Sequence, residues 1–122
     1  MYRVAGRTLG LVGYGRIART FERQMRGMGV ERVLVFDPYA QDVGAARRVE
    51  LATLCAEADF ISVHAPLTPD TRHLLGAAEF ALMKRTAIVV NTARGPLIDE
   101  TALVEALRAG RIQGAGIDVY EQ

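Results

Sequence analysis

The sequence predicts an α/β fold: a doubly wound parallel sheet in a three-layer α/β/α arrangement, formed as a single domain over residues 1–122. Two observations carry that expectation. Short continuous apolar runs alternate with helical patterns along the whole chain, the pattern expected of strands buried on both faces of a parallel sheet. The first unit, residues 9–37, is also strand, glycine turn, helix, strand and acid in that order. A strand order of 3-2-1-4-5-6 follows, with ligands at the carboxyl ends of the strands.

Residues 1–6 form a loose entry segment, and the first strand covers Thr8–Val12. Gly13-Tyr14-Gly15-Arg16-Ile17-Ala18 then opens a helix over Arg16–Met28. Its apolar positions Ile17, Phe21, Met25 and Met28 fall on one stripe, with Arg19, Arg23 and Arg26 turned away as a solvated face. Glu22 precedes Arg26 by four residues, the favourable order for an ion pair. Gly27 and Gly29 stop the helix. Strand two is Arg32–Phe36, ending on Asp37, and Arg47-Arg48-Val49 is a weaker third strand. A helix over Leu51–Glu57 places Leu51, Leu54, Cys55 and Ala58 at i, i+3, i+4 and i+7. Strand four, Phe60–Val63, runs into the polar, proline-bearing loop His64-Ala65-Pro66-Leu67-Thr68-Pro69-Asp70-Thr71. A short helix over Ala77–Met83 precedes strand five, Ala87–Val90, and the loop Asn91-Thr92-Ala93-Arg94-Gly95-Pro96. The last helix, Glu100–Ala109, takes Asp99 as its N-cap. Acids at its start and Arg108 and Arg111 at its end suit the helix dipole, and Gly110 stops it. Strand six, about Ala115–Val119, carries Asp118.

A chain of 122 residues, half of them hydrophobic, can bury a real core in one domain. Its 15 basic and 14 acidic residues nearly cancel, which gives no electrostatic case for nucleic acid or a membrane surface as partner. Cys55 is the one cysteine, so no internal disulfide forms, and its helical setting marks it as a buried small hydrophobe. No apolar run approaches the ~18 residues a membrane span needs, and the N-terminus has no signal core. A cytoplasmic location is the expectation.

Each position of the glycine turn has a job if a dinucleotide binds there. Gly13 lets the chain turn tightly out of the strand. Gly15 lacks a Cβ, so the backbone can approach a pyrophosphate. Ala18 replaces the third glycine and is still small enough for close helix–strand packing. The amides of Arg16 and Ile17 open the helix unpaired, with the positive end of its dipole behind them. Asp37 follows at close to the spacing of about 20 residues expected of the acid that accepts ribose hydroxyls. Its charge would repel a 2′-phosphate, which favours NAD over NADP. A glycine turn alone also joins strand to helix without binding anything. The strand before it, the helix after it and the acid make this one a Rossmann-type dinucleotide site. The Gly13 turn, Asp37, the His64 loop, the Arg94 loop and Asp118 all fall at carboxyl ends of strands.

Five segments resemble the D-isomer-specific 2-hydroxyacid dehydrogenases, the family that includes D-3-phosphoglycerate dehydrogenase. They are Val-Gly-Tyr-Gly-Arg-Ile-Ala (12–18), Val-Phe-Asp-Pro-Tyr (35–39), Val-His-Ala-Pro-Leu-Thr (63–68), Val-Asn-Thr-Ala-Arg-Gly-Pro-Leu-Ile-Asp (90–99) and Gly-Ala-Gly-Ile-Asp-Val-Tyr (114–120). The resemblance runs from about Gly6 to the end, and Asn-Thr-Ala-Arg-Gly is its most specific element. It implies an NAD(H)-binding domain whose full-length protein transfers hydride between NAD(H) and a small 2-keto or 2-hydroxy acid. Gly13, Tyr14, Gly15, Arg16 and Ile17 would form the pyrophosphate loop and Asp37 would take the adenosine ribose. His64, Pro66 and Thr71 would line the cofactor groove, and Thr92, Ala93 and Asp118 would lie on the nicotinamide side. Arg94 would be the catalytic arginine. Reduction of a 2-keto acid builds negative charge on the carbonyl oxygen, which a fixed guanidinium stabilises while pairing with the carboxylate. The plainer role for Arg94 is to cap its loop. His64 titrates in the range a catalytic base needs. The family's base, however, lies in a later histidine loop, so His64 is expected as a groove residue and His73 as a surface or packing residue.

The resemblance further implies that the family's glutamate and histidine fall beyond Gln122, and Glu121 is not that glutamate. The chain is therefore expected to be a fragment or excised domain that turns over negligibly alone. It is also expected to self-associate, as a homodimer or through exposed apolar surface. A non-catalytic NAD(H)-sensing module of the co-repressor type is the alternative.

Overall fold

The computed structural model describes residues 4–66, 68–91 and 95–117, apart from the side chains of 91, 95, 116 and 117. Six strands form one parallel sheet: β1 (Thr8–Val12), β2 (Arg32–Phe36), β3 (Arg47–Arg48), β4 (Phe60–Val63), β5 (Ile88–Asn91) and β6 (Gly114–Ile117). Their order is β3-β2-β1-β4-β5-β6, as the doubly wound pattern requires. The helices are α1 (Arg16–Gly27), α2 (Leu51–Glu57), α3 (Ala77–Leu82) and α4 (Glu100–Arg108), with a 3₁₀ turn at Gly95–Leu97. Element ends shift by a residue from expectation: α1, α3 and α4 stop one residue short, β5 lies one residue later, and Val49 falls outside β3. Asp99 caps α4 as expected, accepting from Ala102 N at 3.3 Å.

The helices divide between the faces of the sheet. On one, Leu54, Cys55, Ile61, Leu75, Phe80, Val89, Leu97 and Ile98 form the cluster beneath α2, α3 and α4. Burial pushes the Cys55 thiol up to about 12, so this cysteine is an inert part of the core. α2 sits so close to the sheet that a Cβ on Gly10 would lie 2.6 Å from Leu54 Cδ2 and 2.9 Å from Ala58 Cβ. A strand glycine here is therefore a packing requirement, which the sequence pattern did not signal.

On the other face, α1 covers Leu9, Leu11, Val33 and Val35. The buried stripe of α1 differs from the expected one. Ile17 is 71% and Met28 59% exposed, while Ala18, Glu22 and Met25 are the buried residues of α1. The buried side is shifted around the helix toward Ala18 and Glu22, while Met25 and the partly buried Phe21 keep their places on it. That shift carries Glu22 inward, where Arg26 pairs with it at 2.8 Å.

Register completes the placement of the site. Val12 pairs with Phe36 and Val63, Val63 with Asn91, and Asn91 with Ile117. Five strands thus end on one edge. At the opposite edge, buried Asp59 accepts from Thr8 N at 2.8 Å and pairs with Lys84 Nζ at 3.2 Å, locking the starts of β1 and β4 together.

Candidate functional site

The chain leaves β1 through Gly13, whose φ of +94° lies in the left-handed region that glycine tolerates. Its amide donates to Phe36 O at 2.9 Å. A Cβ there would fall 2.6 Å from Ala65 N, so the turn and the segment after β4 abut backbone to backbone. Gly15 is the N-cap of α1, offers no side-chain cap, and a Cβ added to it would meet nothing within 4 Å. The first intrahelical bond to this cap runs from Arg19 N to Gly15 O. The amides ahead of Arg19 therefore begin the helix beside open space, the setting in which helix termini take anions. A cleft of about 370 Å³ lies there, lined by Tyr14, Gly15, Arg16, Arg19, Thr20 and Arg23.

Asp37 stands directly after β2, across from this turn. Its Oδ2 accepts the Tyr14 amide at 2.8 Å, and its Oδ1 accepts the amides of Tyr39 at 2.8 Å and Ala40 at 3.2 Å. Arg48 closes the same turn from behind, donating to the carbonyls of Asp37 and Ala40. The carboxylate is thereby held in one rotamer, with one acceptor site, on Oδ2, left for a further donor. A second cleft, of about 320 Å³, joins Gly13 and Asp37 to Pro38, Pro66, Thr71 and Leu74. Largely apolar walls carrying the fixed Asp37 carboxylate, with Asp70 also on the lining, suit an adenosine moiety. The Thr71 hydroxyl shapes this rim by donating to Pro66 O at 2.8 Å and accepting from Thr68 N at 2.7 Å.

His64 faces elsewhere. Its Nε2 lies 2.7 Å from Ser62 Oγ, and its ring sits 5.8 Å from that of Phe21. Burial holds the imidazole below its usual 6.5, so it is neutral near pH 7. With Ile17, Phe21 and Val90 it lines a third cleft, of about 400 Å³, beside α1. The structure thus brings Gly13, Asp37, Pro66 and Thr71 to one cleft and Ile17 and His64 to another. Tyr14 and Gly15 line the cleft at the helix start, and Arg16 lines both that cleft and the His64 cleft. His73 is exposed, with a φ of 53°. Thr92, Ala93, Arg94 and Asp118 lie outside the described residues, though β5 and β6, which precede them, end on the same edge. Among the described residues no group of three or more His, Cys, Asp or Glu is placed to hold a metal ion, and no helix is long and apolar enough to cross a membrane.

Two contributions escaped the sequence reading. Ser62, buried and alternating with apolar neighbours, gave no sign that it would engage His64. Glu22 was visible as an ion-pair partner of Arg26, but not as the buried acceptor of the Tyr14 hydroxyl.

The family model described as D-isomer specific 2-hydroxyacid dehydrogenase, NAD binding domain, matches residues 1–122. Glycerate dehydrogenase of Methylorubrum extorquens is 45% identical over 122 residues, an overlap of 100% of this chain and 37% of that protein. D-3-phosphoglycerate dehydrogenase of Methanocaldococcus jannaschii is 45% identical over 122 residues, 96% of this chain and 23% of that one. Among solved structures, the NAD-complexed D-isomer specific 2-hydroxyacid dehydrogenase of Lactobacillus delbrueckii ssp. bulgaricus superposes with a TM-score of 0.92 at 33% identity, over 98% of this chain and 37% of that one. The chain thus spans well under half the length of each of these relatives.

Proposed function

Because this chain belongs to the NAD-binding domains of the D-isomer-specific 2-hydroxyacid dehydrogenases, we propose that it forms the cofactor half of an enzyme acting on a small 2-hydroxy or 2-keto acid. NAD(H) would supply the hydride-carrying chemistry when bound. The observation that carries the reading is the pairing of Gly13 and Asp37 across one cleft, with Asp37 bonded to the turn amide at 2.8 Å. The open space at Gly15 fits the group as well, since it leaves the helix start clear for a pyrophosphate.

In this reading the amides of Arg16 and Ile17 hold the pyrophosphate, and Asp37 accepts a ribose hydroxyl. Pro66 and Thr71 bound the adenosine side, while His64, kept neutral, bounds the cleft beside α1. Thr92, Ala93 and Asp118 are assigned to the nicotinamide side from their motifs. Arg94 is assigned to the substrate carboxylate and the carbonyl oxygen. Asp37 favours NAD over NADP, because a 2′-phosphate would be forced against a fixed carboxylate. A cytoplasmic setting and self-association as a homodimer belong to the same proposal.

The test is an NADH fluorescence titration, repeated with NADPH and with Asp37→Ala. Saturable NADH binding, stronger than NADPH and weakened about tenfold by Asp37→Ala, is expected for the loss of charge-assisted hydrogen bonds. Absence of NADH binding would overturn the proposal, and equal binding of NADPH would overturn the NAD preference. The chain alone is expected to turn over negligibly. Steady NADH oxidation with glyoxylate or hydroxypyruvate, lost in Arg94→Ala, would show that expectation wrong.

A further inference from the structure

Tyr14, between the two glycines of the turn, is 9% exposed, and its hydroxyl donates to Glu22 Oε1 at 2.5 Å. Glu22 is itself 6% exposed. Its Oε2 accepts from Arg26 Nε at 2.9 Å, and Arg26 Nη2 lies 2.8 Å from the same oxygen without aligning as a second hydrogen bond. The Arg19 guanidinium sits 5.0 Å over the Tyr14 ring. From the other direction, the Tyr14 amide donates to Asp37 Oδ2 at 2.8 Å. The turn residue is therefore gripped twice, by α1 through its side chain and by Asp37 through its backbone.

Packing does not account for this network. A buried carboxylate–arginine pair adds little net stability, because desolvation offsets the Coulomb gain. An apolar residue at position 22 would serve the core beside Met25 and Ala18 as well. What the carboxylate does that an apolar residue would not is bind Tyr14. Burial first, then the Glu22 hydrogen bond, push the Tyr14 phenol up to about 12, so it stays a donor across ordinary pH.

We infer that Glu22 is a positioning residue for the dinucleotide: through the Tyr14 hydroxyl it sets the glycine turn, and through the Tyr14 amide it holds the Asp37 carboxylate toward the ribose. The inference rests on the dinucleotide reading of this site. Asp37 then has two anchors, its own turn at Tyr39 and Ala40 and the glycine turn, and the second depends on Glu22.

The experiment is a titration of NADH and of ADP-ribose against the parent chain, Glu22→Gln, Tyr14→Phe, Asp37→Ala and the double variant Glu22→Gln/Asp37→Ala. Glu22→Gln keeps the volume and one acceptor, and melting by circular dichroism checks that each variant folds. If Glu22→Gln fails to fold, Tyr14→Phe against Asp37→Ala carries the same comparison. Glu22→Gln and Tyr14→Phe are each expected to weaken NADH about fivefold. In the Asp37→Ala background the Glu22→Gln loss should shrink below about twofold, because residues acting through one contact are not additive. ADP-ribose should follow NADH, since the network addresses the adenosine half. Parent-like NADH affinity in folded variants overturns the inference. So does a loss that persists undiminished in the Asp37→Ala background, which is what a merely structural role would give. A parent chain that binds no NADH overturns the dinucleotide reading instead.

Discussion

Beneath α2, α3 and α4 the sheet is packed by Leu54, Phe80, Val89, Leu97 and their neighbours, hydrocarbon against hydrocarbon. Beneath α1 the same sheet is packed by Leu9, Leu11, Val33 and Met25, but a carboxylate, a phenol and a guanidinium are buried or half-buried among them. Both faces exclude water. The apolar face is held by close packing without directional bonds among these side chains, while the α1 face ties helix, turn and acid together with directional bonds. The first gives stability, and the second fixes where the elements at the carboxyl edge stand relative to one another.

Substitutions can break or sharpen that contrast. The largest loss is expected from Phe80→Ala, about 3–5 kcal/mol by urea unfolding, since Phe80 is the largest fully buried side chain among the described residues. A loss below about 1 kcal/mol would mean that this face relaxes freely. Gly10→Ala should destabilise by about 1–3 kcal/mol, because its Cβ meets Ala58 as well as the movable end of Leu54. On the α1 face, Tyr14→Phe combined with Glu22→Met and Arg26→Met should leave stability within about 1 kcal/mol of the parent, as replacement of a whole buried polar network by apolar groups often does. NADH binding should weaken nonetheless, measured on the same preparation. A triple variant that loses several kcal/mol would make the network an ordinary stabilising element.

The smallest effect concerns His64. Its folded-state value lies below the 6.5 of the unfolded chain, owing to burial. The unfolded chain therefore takes the proton first, and the stability tied to neutral His64 is present above pH 6.5 and lost as pH falls below it. The melting temperature of the parent relative to His64→Gln should be flat from pH 7 to 8 and fall in the parent's disfavour below 6.5. A pH-independent difference would place His64 in a more solvated setting.

Much of this was legible in the chain itself, for a physical reason. Strand, glycine turn, helix and acid are local signals. Apolar runs of four or five residues mark buried strands, Gly13 marks a positive φ, and Asp99 marks a helix start, each decided by its immediate neighbours. The order of the strands then follows from handed crossovers. Gly13, Asp37, His64, Pro66 and Thr71 could be gathered at one edge because parallel strands all end there. The family motifs named the remaining positions.

The rest depended on distances between elements that no local pattern encodes. Whether Ile17 or Ala18 faces β1 differs by one helical step of about 100°, and the apolar count favoured the wrong step. Packing put Ala18 in the core and left Ile17 outside it, and the same placement buried Glu22 beside Tyr14 and Arg26. Gly10 matters only because α2 crosses there. From the sequence alone came the sheet, its order and the dinucleotide turn with its acid. The tertiary structure alone decided which side chains hold that turn and acid in register, because that is settled by which side of α1 is buried and by volumes and hydrogen bonds between elements.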